Sequence, residues 1–249
     1  KGSCEYQDLE YPDDCIVDFD MRLIDLFKEM DKKKLTLKMQ IRREYYRVKE
    51  LLDGKRPSRM DLFTYMDDEI YRICVSGSHA KENPFQHYLD FLYELGELSE
   101  DEQELYAGIG REFIQTIETT EMQKVYKMPI LYSFYNHGNI RLAVTDEEIL
   151  ESWKEFFDTG TNWKDFPNVN TYEDYKKVTD KQHLSKAKRM PIRFLKASGK
   201  GFFVEKDGYA LALRDEIGDV VGNMAFGEQM GDVLGYRSLE YYRRRYEKR

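Results

Sequence analysis

The sequence predicts a mainly α protein with a small β component (α+β): a helical first half followed by a winged-helix-like half with a β-hairpin. Three observations carry this. Apolar residues recur at three- and four-residue steps over most of the chain, the pattern of helices that bury one face. Ser99 with Glu102 and Thr145 with Glu148 are capping boxes, which start helices. Period-two alternation comes only late, at residues 140–144 and on either side of Lys206-Asp207-Gly208, whose turn chemistry makes a hairpin. The change of pattern places a boundary near residue 120, with a helical unit over 1–120 and a winged-helix-like unit ending in a basic helix over 121–249.

The elements follow in order. Residues 1–20 carry Pro12 and several Asp without periodicity and read as an extended lead-in. Leu23, Ile24, Leu26, Phe27 and Met30 mark a first helix; Leu37, Ile41, Tyr45, Val48 and Leu52 mark a second that stops at Gly54. Ser58 is an N-cap with Asp61 three residues on, opening a helix to about Cys74. After a polar loop, Asn83-Pro84 places a cap before a proline in the first helical position and starts a helix that Gly96 ends. The Ser99 box launches another, to about Glu118. Residues 126–135 form an apolar helix closed by Gly138, and the Thr145 box then begins a helix with Ile149, Leu150, Trp153, Phe156 and Phe157 on one side. A polar helix over 171–189, a shorter one over 191–197, hairpin strands at 202–204 and 209–213, an ambiguous stretch over 218–235 and a basic helix over 239–246 complete the chain.

Composition narrows the function. With 14 Phe, 19 Tyr and 41% apolar residues, a core of ordinary size can be buried. No run approaches the roughly 18 apolar residues of a membrane span, and no basic-then-apolar leader is present. Cys4, Cys15 and Cys74 form no CxxC pair and read as free thiols, which fits a reducing cytosol. The start at Lys1-Gly2-Ser3 reads as a piece of something longer.

Catalytic and cofactor motifs do not emerge. Gly108-Ile109-Gly110 lacks the third glycine of a dinucleotide fingerprint, and Gly199-Lys200-Gly201 lacks the spacer and Lys-Ser/Thr of a P-loop. His79, His87, His137 and His183 stand far apart, at no zinc-site spacing. A nucleophile elbow is absent too.

Charge placement says more than the net −8. Residues 61–121 hold fifteen acids against Arg72, Lys81 and Arg111, a surface that repels phosphate. Residues 181–206 hold Lys181, Lys186, Lys188, Arg189, Arg193, Lys196, Lys200 and Lys206 against Glu205 alone, a local +7. The final stretch contributes Arg243, Arg244 and Arg245, and a third basic stretch includes Lys38, Arg42, Arg43, Arg47 and Lys49. Such clusters bind nucleic acid by releasing condensed counterions; the competing reading is a set of solvated helix faces or internal ion pairs. The aromatic pairs Tyr45-Tyr46, Phe156-Phe157, Phe202-Phe203 and Tyr241-Tyr242 could stack on bases, although their amphipathic settings favour core packing.

Helix, strand, capped helix and a glycine-tipped hairpin is an order compatible with a winged-helix-like module, and the +7 stretch adjoins that hairpin. The strings Lys55-Arg56-Pro57-Ser58-Arg59-Met60-Asp61-Leu62, Tyr126-Lys127-Met128-Pro129-Ile130-Leu131, Met190-Pro191-Ile192-Arg193-Phe194-Leu195 and residues 236–246 resemble the region after the motor core in some bacterial DEAD/DEAH-box superfamily II helicases of the kind linked to restriction or phage defence. The likeness spans most of the chain and rests on Pro-bounded helix starts and a basic tail. Around Tyr126, Lys127, Pro129 and Leu131 the chain is also similar to winged-helix segments of some restriction nucleases. Both resemblances imply an accessory module that contacts DNA, C-terminal to the motor in the helicase case; the free thiols make the expected location cytoplasmic. The Walker A and DExH strings of the helicases are absent, so the resemblance implies no cofactor here, with ATP and Mg²⁺ belonging to the motor of a parent protein.

The expectation is therefore a non-catalytic DNA-binding accessory domain of a helicase-like protein, contacting duplex or junction DNA. Its cations would be Lys186, Lys188, Arg189, Arg193, Lys196, Lys200 and Lys206, with Arg243, Arg244 and Arg245 as a second contact and the parent's motor core as a further partner. One alternative is a protein-interaction module whose acidic 61–121 region docks a basic partner or the motor core. It gains if Asp67, Asp68, Glu69 and the acids of 97–104 form one exposed surface while the cations pair internally. Another is a metal-dependent nuclease built from scattered carboxylates.

Overall fold

The computed structural model describes residues 35–246. The predicted lead-in, the helix marked by Leu23 and Met30, Cys4 and Cys15 lie outside the described residues. Within them the chain is mainly helical with one small antiparallel sheet, as the sequence predicts.

Helix α1 (Leu37–Leu51) starts where the Thr36 hydroxyl accepts from the Met39 amide and buries Ile41, Tyr45 and Val48 along one stripe. The predicted helix from Ser58 to Cys74 is two, α2 (Arg59–Tyr65) and α3 (Asp68–Cys74). Met66 is extended because the Asp67 side chain accepts from the Glu69 and Ile70 amides, a fresh cap in mid-pattern. At Asn83-Pro84 the cap serves a turn instead, Asn83 Oδ1 accepting from the Phe85 amide at 3.0 Å, and α4 (Tyr88–Leu95) begins later and ends at left-handed Gly96. The helix predicted from Ser99 to Glu118 breaks at extended Gly108 into α5 (Glu100–Ala107) and α6 (Ile109–Thr119).

Helix α7 (Lys127–Tyr135) leads to β1 (Ala143–Val144), and the Thr145 capping box starts α8 (Asp146–Asp158). The predicted polar helix over 171–189 is divided into α9 (Tyr172–Lys176) and α10 (Asp180–Ala187), because Thr179 caps a new start with Gln182. From α10 the chain runs through a π-helical turn, Lys188–Ile192, into α11 (Arg193–Ser198); the wider turn accommodates Pro191, which has no amide hydrogen to give. The hairpin strands are β2 (Phe203–Val204) and β3 (Leu211–Leu213), shorter than expected. Phe203 pairs with Leu213, and β1 adds to the far edge through Ala143 and Ala212, giving the order β1-β3-β2.

The ambiguous 218–235 stretch and the basic helix after it are largely one element, α12 (Met224–Tyr246). Its glycines obscure the pattern and permit close packing: a methyl group on Gly231 would sit 2.6 Å from Tyr135 Oη. Tyr236 of α12 joins a smaller core with Tyr45, Leu62, Tyr71, Phe85 and Leu92, while Phe226, Met230, Val233 and Tyr241 join the larger core of α5 to α11 and the sheet.

A polar network ties these parts together. Arg59 is wholly buried; its Nε lies 3.0 Å from Glu118 Oε1, and its Nη1 donates to Gln229 Oε1 at 2.7 Å and Asp232 Oδ2 at 2.8 Å. Gln229 donates to Glu102 at 2.7 Å, which also receives Arg56. No helix among the described residues is long and apolar enough to cross a membrane.

Candidate functional site

Three segments far apart in sequence enclose a cleft of about 700 Å³. The end of α6 and the start of α7 bring Thr119, Thr120, Lys124, Tyr126 and Lys127; a 3₁₀ turn, Asn162–Asp165, brings Lys164 and Asp165; and the stretch from α10 to α11 brings Lys186, Met190, Phe194, Ser198 and Lys200. The Asn162 side-chain amide donates to Phe156 O at 2.9 Å, which folds the 3₁₀ turn back against α8, and Tyr126 Oη donates to Asp165 O at 2.7 Å. Arg245 closes one side from α12, its Nε 2.7 Å from the buried Asp165 carboxylate. A second, more open cleft of about 860 Å³ shares Phe166, Pro167, Lys186 and Met190 with the first and adds Lys177, Lys181 and Arg189.

The sequence-predicted cations divide. Lys186, Arg189, Lys200 and Arg245 line these clefts. Lys186 Nζ lies 5.0 Å over the Tyr126 ring, and Arg189 and Lys200 enter no ion pair among the described residues. Lys188 and Lys196 point to carboxylates instead, Lys188 to Asp146 at 2.6 Å and Lys196 to Glu205. Arg193 lies over its neighbour Phe194 at 5.9 Å, and Lys206 is exposed at the hairpin tip; neither lines the clefts. Arg244 lies 3.6 Å from Glu240, and Arg243 reaches Asp68 at 2.5 Å across the rings of Phe63 and Tyr71.

Some of the acids of 61–121 are drawn into pairs as well. Lys38 holds Glu94 at 2.6 Å, Lys49 holds Glu97 at 2.7 Å, Arg111 holds Asp90 at 2.6 Å, and Glu102 is buried with Arg56. Of the basic stretch of α1, Lys38 and Lys49 reach acids of this region and Arg47 is held by Glu44 of its own helix, while Arg42 and Arg43 are exposed and enter no ion pair among the described residues. Of the aromatic pairs, Tyr45, Phe156, Phe157, Phe202, Phe203 and Tyr241 are core residues. The cleft ring most open to solvent is Phe194, 44% exposed.

Lys127 is the residue that charge counting missed. It is 8% exposed, its ammonium reaches Thr120 Oγ1 at 2.9 Å and Ser198 Oγ at 3.5 Å, and no carboxylate lies within ion-pair distance among the described residues. Burial pushes its pKa below the ordinary lysine value; the charge of Glu121 opposes this and that of Arg237 adds to it. The signal was present in Val125-Tyr126-Lys127-Met128-Pro129, a cation inside an otherwise apolar helix start.

Behind the cleft, His183 is buried against Phe166 and Tyr175, with ring centroids 4.9 and 5.5 Å away. Burial lowers its pKa, helped by the Lys154 charge and opposed by Asp180 and Asp158. A histidine whose folded pKa lies below its unfolded one, about 6.5, contributes stability above that pH and loses it as pH falls through the folded value. The urea midpoint is therefore expected to fall from pH 7 to pH 5 more steeply in the native sequence than in His183→Gln. Equal slopes would refute the assignment.

No protein-family model, no curated protein and no solved structure matches the chain.

Proposed function

We propose that this chain binds a nucleic-acid strand, DNA in the first instance, as a non-catalytic accessory module of a larger helicase-like DNA-processing protein. The observation that supports this is the composition of the two adjoining clefts. Nine cations face three carboxylates there, Glu121, Asp165 and Asp174, and Asp165 is already held by Arg245. Clustered cations gain affinity for a polyanion by counterion release, and an exposed ring such as Phe194 offers an unpaired base a stacking surface. A groove of this kind suits the unpaired strand of a junction better than the rigid side of a duplex. For the protein-docking alternative, Glu97, Glu102 and Asp68 are engaged by Lys49, Arg56 and Arg243, whereas Glu69, Glu100, Asp101 and Glu104 are exposed and enter no ion pair among the described residues, so that reading keeps an acidic surface of its own.

The test is a fluorescence-anisotropy titration of the full chain with single-stranded, duplex and forked DNA at several salt concentrations. Binding is expected to weaken steeply with salt, with the forked and single-stranded probes favoured. The triple variant Lys186→Ala, Arg189→Ala, Lys200→Ala is expected to weaken all sequences alike. It should also flatten the log–log salt slope by about 0.7 for each single-strand phosphate that is no longer neutralised. No binding at low salt, or a salt-independent Kd, would end the reading.

A further inference from the structure

We propose that the smaller cleft is the seat for a phosphomonoester, so that the chain recognises the phosphorylated end of a strand rather than only its backbone; this rests on the strand-binding reading and deepens it. A phosphodiester in mid-strand carries one negative charge and is satisfied by one surface cation. A monoester approaches two charges at neutral pH and has three strong acceptor oxygens, so it rewards a pocket that offers several donors and cations at once.

The cleft has that make-up. At its wall the Lys127 ammonium is buried with two hydroxyls, Thr120 Oγ1 and Ser198 Oγ, and no carboxylate within ion-pair distance among the described residues. A cation removed from water without a counter-ion is unfavourable, and an incoming phosphate would supply one. Lys124, Lys186 and Lys200 line the same cleft; of its two carboxylates, Asp165 is covered by Arg245, with Lys124 3.9 Å away, and Glu121 remains as the one that opposes an anion against these cations. Phe194 stands on the cleft with 44% of its surface open, where the base next to a bound phosphate could stack. The larger cleft, reached across Lys186 and Met190, offers the following nucleotides a basic path.

The same chemistry could be presented by a free mononucleotide, and the experiment separates the two sources. The full chain is titrated with one single-stranded oligonucleotide bearing a 5′-phosphate, a 3′-phosphate or hydroxyls at both ends, and with the free nucleoside monophosphate. A phosphate at one end is expected to lower Kd at least tenfold relative to the hydroxyl-ended strand. Lys127→Met is expected to weaken the phosphorylated strand at least fivefold more than the hydroxyl-ended one, and Lys200→Ala, at an exposed position, should act in the same direction. If the free mononucleotide competes and depends on Lys127 equally, the seat stands and its ligand is the nucleotide. Equal Kd values for all ends, with binding retained, would overturn the seat and leave strand binding intact. Absence of binding by every probe would overturn both.

Discussion

Arg59→Ala is expected to remove on the order of 3–5 kcal/mol of folding stability, the loss typical when one partner of a buried ion pair is deleted. The guanidinium is wholly buried and uses its planar fork in two directions at once, toward Glu118 at the end of α6 and toward Gln229 and Asp232 of α12, while its face covers the Tyr88 ring at 4.4 Å. Deleting it leaves the Glu118 carboxylate buried with the Tyr88 amide as its remaining hydrogen-bond donor. Arg59→Lys keeps the charge but cannot reproduce the fork, so a large part of the loss is expected to remain. The variant also carries a pH signature. Burial already pushes the Glu118 pKa up against the pull of Arg59. A carboxyl whose folded pKa is raised contributes stability below its unfolded pKa and loses it as pH rises. The deficit of Arg59→Ala should accordingly be smallest near pH 4 and grow toward neutrality. Urea unfolding across that range checks it, and a loss below about 1 kcal/mol at pH 7 would contradict the role assigned to the network. The double variant Arg59→Met, Glu118→Gln should recover part of the loss, because the fully buried Glu118 charge is gone and Asp232, the other carboxylate that Arg59 served, keeps the backbone amides of residues 59 and 60.

Most of what the sequence disclosed is short in range. The Ser58, Ser99 and Thr145 starts, the Gly96 stop and the hairpin turn at Gly208 are each decided within four residues, and each is present. The boundaries at Asp67 and Thr179 are caps of the same kind, hidden at Asp67 because apolar periodicity continued across it and at Thr179 because polar, helix-compatible residues flank it on both sides. What pattern could not supply is convergence. Arg59 meets Asp232 from 173 positions away, and the Lys188 charge is taken by Asp146 from 42 positions upstream. The site shows the same division. Lys186, Arg189 and Lys200 stood out in a basic run, whereas Lys124, Lys127 and Lys164 join them only because the start of α7 and the 3₁₀ turn after α8 fold against α10 and α11. A local charge count rates Lys127 as one cation among many; its burial makes it distinctive.

Trp153→Ala is expected to cost about 3–5 kcal/mol by a different route, the opening of a cavity in the larger core. The indole is fully buried on α8, with ring centroids 5.1 Å from Phe157 and 5.8 Å from Tyr126. Its Nε1 has no hydrogen-bond partner among the described residues, so the side chain fills its volume with an unsatisfied donor. That predicts an ordering: Trp153→Phe loses packing but also removes the orphaned N–H, an offset of about 1–3 kcal/mol, and should be far milder than Trp153→Ala. The two are compared by urea unfolding. Similar losses would mean that the donor is satisfied in solution. The position also bears on binding, since Tyr126 rests against Trp153 on one side while its hydroxyl holds the Asp165 carbonyl and its ring carries Lys186. Measured where both proteins remain folded, Trp153→Ala should weaken binding of the DNA strand more than Arg59→Ala does, because it removes the packing directly behind Tyr126, the ring that carries Lys186, whereas Arg59 acts on the cleft one step removed, through Glu118 beside Thr119 and Thr120. Unchanged affinity in Trp153→Ala would show that Tyr126 and Lys186 hold their places without it.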